Sequence, residues 1–454
     1  MFKEKYNEGK MLRGKAPRND QAFWKKPTQR PSILKMIGLS NYDRLPELIP
    51  VRHFRMSKSP FVFYRATASI MARDLSSTPS PGITAHICGD CHLMNFGAFA
   101  TPERHLVFDI NDFDETNPGP WEWDLKRLVV SFVLAAREKG FDKKDTYDIV
   151  QKLVGVYTER LKEFSAMNLL DLWYLKFDLE VLRRESKEQW IRERLSRDID
   201  KANKQTHDRV FYKITSNNMG KFEISDQPPL IRHPVDVAES LDIINAFLKQ
   251  YTSTLQPDRR WLFEQYKVID VTLKVVGVGS VGTRCFVVLL LNDNNDPLLI
   301  QVKEARESVL VPYTQNSIYA HNGERIVQGQ RLIQAASDIF LGWSTGPKGR
   351  HFYFRQLRDK KLSPEIADYN KSMLTEYAKL VGGILARAHC KTGKGAVICG
   401  YIGKGNAFAD AICRFADAYA DQTEKDYDDF MKAVKAGKLP VEEEQKKIKI
   451  KIER

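Results

Sequence analysis

A glycine cluster between two apolar strands constrains this chain more than any other feature. Residues 267–302 alternate and run apolar: Lys-Val-Ile-Asp-Val-Thr-Leu-Lys-Val-Val, then Gly277-Val-Gly279-Ser-Val-Gly282, then Thr-Arg-Cys-Phe-Val-Val-Leu-Leu-Leu. A polar turn at 292–296 and the run Pro-Leu-Leu-Ile-Gln-Val-Lys303 complete the stretch. This patterning predicts an antiparallel meander. A G-x-G-x-x-G string that opens a helix marks a dinucleotide-binding turn. Here β-branched, strand-like residues follow, so the glycines belong to a hairpin. Two meanings stay open for Gly277, Gly279 and Gly282: they serve a tight turn only, or they let backbone N–H groups approach phosphates because no side chain intrudes.

Two neighbouring features favour phosphate. Lys303 ends an apolar strand just after the glycine hairpin, where a kinase places the lysine that grips the α- and β-phosphates. A helix at about 322–336 then offers Glu324 to orient that lysine, with Glu304 and Glu307 as rivals and a solvated helix-start carboxylate as the plain alternative. A second cluster lies far upstream: Gly89-Asp90-Cys-His92-Leu-Met-Asn95, then Phe108-Asp109-Ile-Asn-Asp112-Phe-Asp114-Glu115. Carboxylates packed this densely repel one another unless a cation neutralises them. One amide and several carboxylates make a hard oxygen set that suits Mg²⁺.

The pattern fits phosphoryl transfer. One Asp, with Asp90 the candidate, would orient or deprotonate an acceptor hydroxyl, and Asn95 with carboxylates among Asp109, Asp112 and Asp114 would hold the metal. Asp109-Ile-Asn-Asp112 equally fits an Asp-x-x-Asp pattern with Asp109 as the first ligand. His92 is a second catalytic candidate, or it braces the loop by hydrogen bonding. Asp124, at a helix start, is expected to cap or brace the same loop. Arg55 and Arg65 offer cations for a phosphate or an acidic acceptor, or ordinary ion pairs. Read plainly, the cluster is an acidic turn capped by Asn and Asp, or the carboxylates of a hydrolase.

Composition narrows the partners. Hydrophobic residues make up 43% and charged residues 28%, ordinary for a globular chain, while the net charge is +13. Such a surplus attracts polyanions without choosing among nucleic acid, anionic membrane and nucleotide. Much of it lies in the first 30 residues and in the Lys/Ile tail at 446–454, away from the candidate site. No RNA-recognition motif, zinc finger or glycine-clamp module supports a nucleic-acid partner. The longest apolar run, Cys285 to Leu291, is far short of the roughly 20 residues that span a bilayer. The N-terminus has no apolar signal region, so a cytoplasmic location and six reduced cysteines are expected. Cys88-Gly-Asp-Cys91-His92 is formally a C-x-x-C-H string, which leaves haem attachment, a redox dithiol or zinc as alternatives to two incidental thiols.

Along the chain, residues 1–80 read as a basic extension packing on the core, with prolines breaking long helices and a helix at 60–75. Residues 81–142 carry the catalytic-looking loop and the metal-binding segment, ending in a helix from Asp124 to Lys139. Residues 143–260 are mostly helical. Within them 143–205 reads as solvent-facing scaffold, 209–225 as a hairpin turning at 217–220, and 236–254 as a helix. Residues 261–360 hold the sheet, glycine loop, lysine strand and a second strand pair at 338–357. Helices fill 361–436, and 437–454 is a basic tail.

Whole strings carry a resemblance. Arg52-His-Phe-Arg55-Met56, Ser59-Pro-Phe61, Gly89-Asp90-x-His92-x-x-Asn95-Phe96-Gly97, Asp112-Phe-Asp-Glu115, Trp123-Asp124-Leu-Lys-Arg127-Leu128 and Gln301-Val-Lys-Glu-Ala305 are similar to the bacterial domain of unknown function 2252 family. So are the glycine string ending at Gly282, the Gly329-Gln330 helix, Ala386-Arg-Ala-His389 and Tyr419-Ala-Asp-Gln422. The Gly-Asp-x-His-x-x-Asn and Asp-Phe-Asp motifs further resemble those of aminoglycoside and choline phosphotransferases. Cys88 stands where those enzymes usually carry His, and Arg65-Ala66 where Arg-Gly is expected. The resemblance implies an α+β, two-lobed protein-kinase-like fold that uses ATP and Mg²⁺ on a small-molecule or protein hydroxyl. Catalytic loop and glycine loop come in reversed order, so a circular permutation with a helical insertion is expected, bringing Lys303 and Asp112 to one nucleotide. A catalytically idle nucleotide-binding scaffold and an adenylyl transferase are the alternatives.

Overall fold

The computed structural model describes residues 2–443 apart from 219–220, 229, 234–236, 276 and 358; the Lys/Ile tail and the tip of the 217–220 turn lie outside the described residues. The meander is present. Strands Lys267–Lys274, Cys285–Leu291 and Pro297–Glu304 pair antiparallel. His351–Gln356 adds on the lysine side, followed by Gly342–Thr345, and the short Ile231–Arg232 closes the other edge.

Alternation assigns the two faces. Leu273, Phe286, Val288, Leu290, Leu298, Ile300, Val302, Phe352 and Phe354 point into one core, against Ile244, Phe247, Leu248 and Tyr251 of helix Val237–Ser253. Residues one step out of phase line the other face. There Cys285, Lys303 and Tyr353 form one cross-strand row, and Gln301 sits opposite Arg355. Helix Asn322–Ile333 packs on the last two strands in the order of the sheet.

A second core holds the catalytic-looking loop. Strands Thr84–Ile87 and Asn117–Pro120 pair, and Phe96–Ala100 lies between Leu106–Ile110 and Lys361–Leu362. Helix Trp121–Glu138 is buried from Trp121 to Ala136; it is almost wholly apolar from Leu128 to Ala136, while its first turns bury the charged Glu122, Asp124, Lys126 and Arg127. The fold is thus mixed α and β. Its helical core is assembled from chain on both sides of the sheet segment, because Lys371–Lys391 and Asn406–Lys435 return to pack on Lys143–Ser165 and Trp121–Glu138. Among the described residues no helix is long and apolar enough to cross a membrane.

Three local expectations are corrected. The helix at 60–75 is two helices, Pro60–Arg65 and Ala68–Leu75, separated at Thr67, whose backbone leaves the helical region. The first part of 143–205 is not solvent-facing. Ile149, Val150, Leu153, Val154, Tyr157, Leu161 and Phe164 recur at helical spacing and bury that face of Lys143–Ser165. The hairpin Thr215–Asn218 with Lys221–Ile224 is preceded by a helix, His207–Ile214, where strand was expected.

The first residues grip the core by charge as well as by packing. Arg30 binds Asp74 through two bonds of 2.8 Å and Asp426 at 2.6 and 2.9 Å, joining the segment to the last long helix.

Candidate functional site

The lysine strand meets the acidic segment. Lys303 Nζ donates to both oxygens of Asp114, at 3.0 and 2.7 Å, although the two residues are 189 apart in sequence. The Tyr353 hydroxyl, beside Lys303 in the sheet, donates to Asp114 Oδ1 at 2.7 Å, and Ser280 Oγ of the glycine turn reaches Oδ2 at 3.4 Å. Burial alone would raise the Asp114 carboxyl, but the Lys303 charge and these bonds hold it below its usual range. Burial works against the Lys303 ammonium, yet Asp114 outweighs it and raises the amine.

Asp112 lies within this group. Its Oδ1 accepts from the Asp114 N–H at 3.2 Å, and its charge acts on Asp90, Lys303 and Arg355 together. Lysine strand, glycine turn and Asp112–Asp114 segment therefore converge.

The Asp90 loop is shaped from behind. Gly89 has φ +82°, and a Cβ there would collide with the Glu115 carbonyl, so the turn requires glycine. Asp124 accepts from the Cys88 and Gly89 N–H groups at 2.8 and 2.9 Å, the brace expected of it. Asn95 Nδ2 donates to the Asp90 carbonyl at 2.5 Å, so the amide oxygen is the side-chain atom this bond does not use. Arg127 Nε holds Asp90 Oδ1 at 2.5 Å, and Arg127 Nη2 holds the Tyr64 carbonyl at 3.1 Å. The Asp90 side chain remains 21% exposed, recessed but reachable. Burial raises its carboxyl and the Asp112 charge adds to that, while Arg127 and Arg65 offset part.

His92 is buried with its Nε2 3.9 Å from Asp90 Oδ2, and its Nδ1 accepts from the Met94 N–H. Burial, then the charges of Arg65 and Arg127, keep the ring neutral. Its Nδ1 bond to the Met94 N–H supports the turn of the loop.

Two expected residues are elsewhere. Asp109 is 1% exposed and bound to Arg387 at 2.6 Å, its Oδ1 also accepting from Ile110 N–H and its Oδ2 from Ala335 N–H. Fully buried against Arg387, whereas Asp114 keeps 25% of its side chain exposed beside Lys303, it does not join Asp112 and Asp114. Glu324 does not orient Lys303, whose carboxylate partner is Asp114. One residue further round that helix, Arg325 turns inward instead, donating to the carbonyls of Thr116, of Asp114 at 3.0 Å and of Arg306 at 2.8 Å.

The glycine turn is pinned. Val278–Ser280 form a short 3-10 turn, and Gly282 has φ +88°. Arg44 holds the Val281 carbonyl at 2.5 Å and that of Gly279 at 2.9 Å. Val278 is buried among Met56, Phe63 and Ile70 of the N-terminal segment. Gly277 has open space where a side chain would stand.

Tyr353 and Arg355 were not singled out from the sequence, and Arg127 was read only as part of a family motif, although His351-Phe-Tyr-Phe-Arg355 shows the period-two signal that would have placed Tyr353 and Arg355 on the lysine face. Cys88, Cys91 and Asp124 lie within 4.8 Å of one another, but Asp124 already caps the loop and burial pushes both thiols up.

Glu115 borders the site and yields a prediction. Burial raises its carboxyl from 4.5 to about 7, partly offset by the Val309 N–H and Arg325. The folded chain therefore binds this proton more tightly than the unfolded chain, and stability is lost as pH rises from the lower value to the upper. Relative to wild type, Glu115→Gln is expected to gain roughly 1–2 kcal/mol on going from about pH 5 to about pH 8 in urea unfolding. A difference between the two proteins that does not change with pH would contradict it.

Asp112, Asp114 and Asn95 offer hard oxygen atoms of the kind magnesium takes, with both oxygens of Asp114 engaged here by Lys303, Tyr353 and Ser280, and Lys303, Lys274 and Arg355 lie close enough to interact electrostatically on the opposing sheet. The family model described as an uncharacterised protein conserved in bacteria (DUF2252) matches residues 44–433. No curated protein and no solved structure matches the chain.

Proposed function

The chain belongs to the DUF2252 family, and we propose that this member is an ATP- and Mg²⁺-dependent phosphotransferase with a circularly permuted kinase-like arrangement. One observation carries the reading: Lys303, Tyr353 and Ser280 of the sheet segment all bind Asp114 of the segment that follows the Gly-Asp-x-His-x-x-Asn loop. The helical core drawn from both sides of the sheet segment supports the permutation.

In this reading each residue has a task. Asp90 accepts the proton of an acceptor hydroxyl, and its raised carboxyl brings its basicity closer to neutral pH. Arg127 fixes the orientation of that carboxylate. Lys303, with Arg355 and Lys274, meets phosphate charge. Asp112, Asp114 and the Asn95 carbonyl would hold magnesium, which when bound supplies charge neutralisation at the phosphoryl oxygens.

The test is equilibrium binding of ATP with and without magnesium. Wild type is expected to bind MgATP with magnesium dependence, and Lys303→Met to bind at least about tenfold more weakly, the loss of one charge-assisted contact. Equal affinity in the two proteins would overturn the assignment.

A further inference from the structure

We propose that Arg65 forms an anion subsite for the acceptor, so that the acceptor carries a carboxylate or phosphate group near the hydroxyl that Asp90 deprotonates; this rests on the phosphotransferase reading. Arg65 ends helix Pro60–Arg65. The preceding carbonyl, of Tyr64, accepts from the same Arg127 that holds Asp90, so Arg65 stands one residue from the brace of the proposed base. On its other side is the glycine turn, where a Cβ on Gly279 would lie 3.5 Å from the Arg65 carbonyl. Its charge acts on both Asp90 and His92.

What sets Arg65 apart is that, among the described residues, its guanidinium meets the Phe61 ring, 5.9 Å from the centroid, and no oxygen partner. Other deeply placed guanidiniums bind oxygens, even where Nε is left unbonded as in Arg325 and Arg387: Arg30 binds Asp74 and Asp426, Arg127 Asp90, Arg387 Asp109, and Arg44 and Arg325 backbone carbonyls. Among the described residues Arg65 forms no ion pair, and its Nε is buried without a hydrogen bond. A recessed guanidinium is costly to keep without an anion, and its planar fork matches a carboxylate or phosphate. The phosphate-facing cations Lys303, Lys274 and Arg355 belong to the sheet. Arg65 belongs to the Asp90 side, where the acceptor must lie.

The same chemistry could come from the terminal phosphate of the nucleotide, and the experiment separates the two. Inorganic phosphate is titrated calorimetrically into the full chain, alone and saturated with a non-hydrolysable MgATP analogue. Wild type is expected to bind phosphate in both states. Arg65→Gln should bind it at least about tenfold more weakly, and Arg65→Lys should fall between them, with the analogue's own affinity unchanged in both variants. Arg65→Lys carries the comparison if Arg65→Gln does not fold. Phosphate displaced by the analogue would assign Arg65 to the nucleotide, and equal phosphate affinity in wild type and variants would leave an adventitious ion only; either overturns the subsite. Failure of the analogue to bind wild type, with phosphate binding intact, would instead count against the phosphotransferase reading.

Discussion

Replacing Asp90 with Asn is expected to lower kcat by about 10²- to 10⁴-fold while leaving MgATP affinity within about twofold, the signature of a lost general base. Asn keeps a carbonyl oxygen for Arg127 and changes little in volume. Its stability cost is therefore expected to be only about 1–3 kcal/mol, the penalty for weakening one charged hydrogen bond. The pH profile carries a second signature. A base works when deprotonated, so kcat/KM of wild type should fall on the acid side. Because burial raises the Asp90 carboxyl, the midpoint of that limb should lie above the ordinary aspartate value of about 3.9. In Asp90→Asn the limb should disappear. A chain that binds MgATP but shows no Asp90-dependent transfer would be a nucleotide-binding scaffold.

The largest stability effect should come from a residue that reads like a metal ligand. Asp109→Ala leaves the Arg387 guanidinium, 0% exposed, without its carboxylate and the Ala335 N–H without its acceptor. Breaking such a pair from one side typically costs about 3–5 kcal/mol, because a buried charge is left uncompensated. Asp112→Asn, in a half-buried position, should cost under about 1 kcal/mol by the same urea measurement. Joint replacement by Asp109→Leu and Arg387→Met should recover part of the loss, since no unpaired charge then remains. Equal destabilisation by Asp109→Ala and Asp112→Asn would contradict the structural role of Asp109.

Much of the sheet was legible because period-two patterning is local. Once Val302 points into the apolar core, Lys303 must point the other way, and the glycines must turn between strands. The Asp90 loop was legible for a similar reason, since Asp90, His92 and Asn95 brace one another over six residues. What local pattern does not hold is the choice among near-equivalent carboxylates. Asp109, Asp112 and Asp114 read alike in sequence, and only Arg387, from a helix far along the chain, draws Asp109 away. Glu324 failed for a different reason: a step of one residue turns a helix position by about 100°, and Gly323, packed under Phe352, sets the phase that brings Arg325 inward. The pinning of the glycine turn by Arg44 and by the packing of Val278 depends on the N-terminal segment, read from sequence as an extension packing on the core with no link to the glycines.

The central claim, that Lys303 and the Asp90–Asp114 segments form one nucleotide site, is tested most directly by affinity labelling. An ATP analogue carrying an amine-reactive acyl phosphate acylates a lysine beside the phosphates, and peptide mapping identifies it. The predicted result is modification of Lys303 that excess MgATP blocks. Labelling confined to surface lysines, or Lys303 labelling that MgATP does not reduce, would contradict the account.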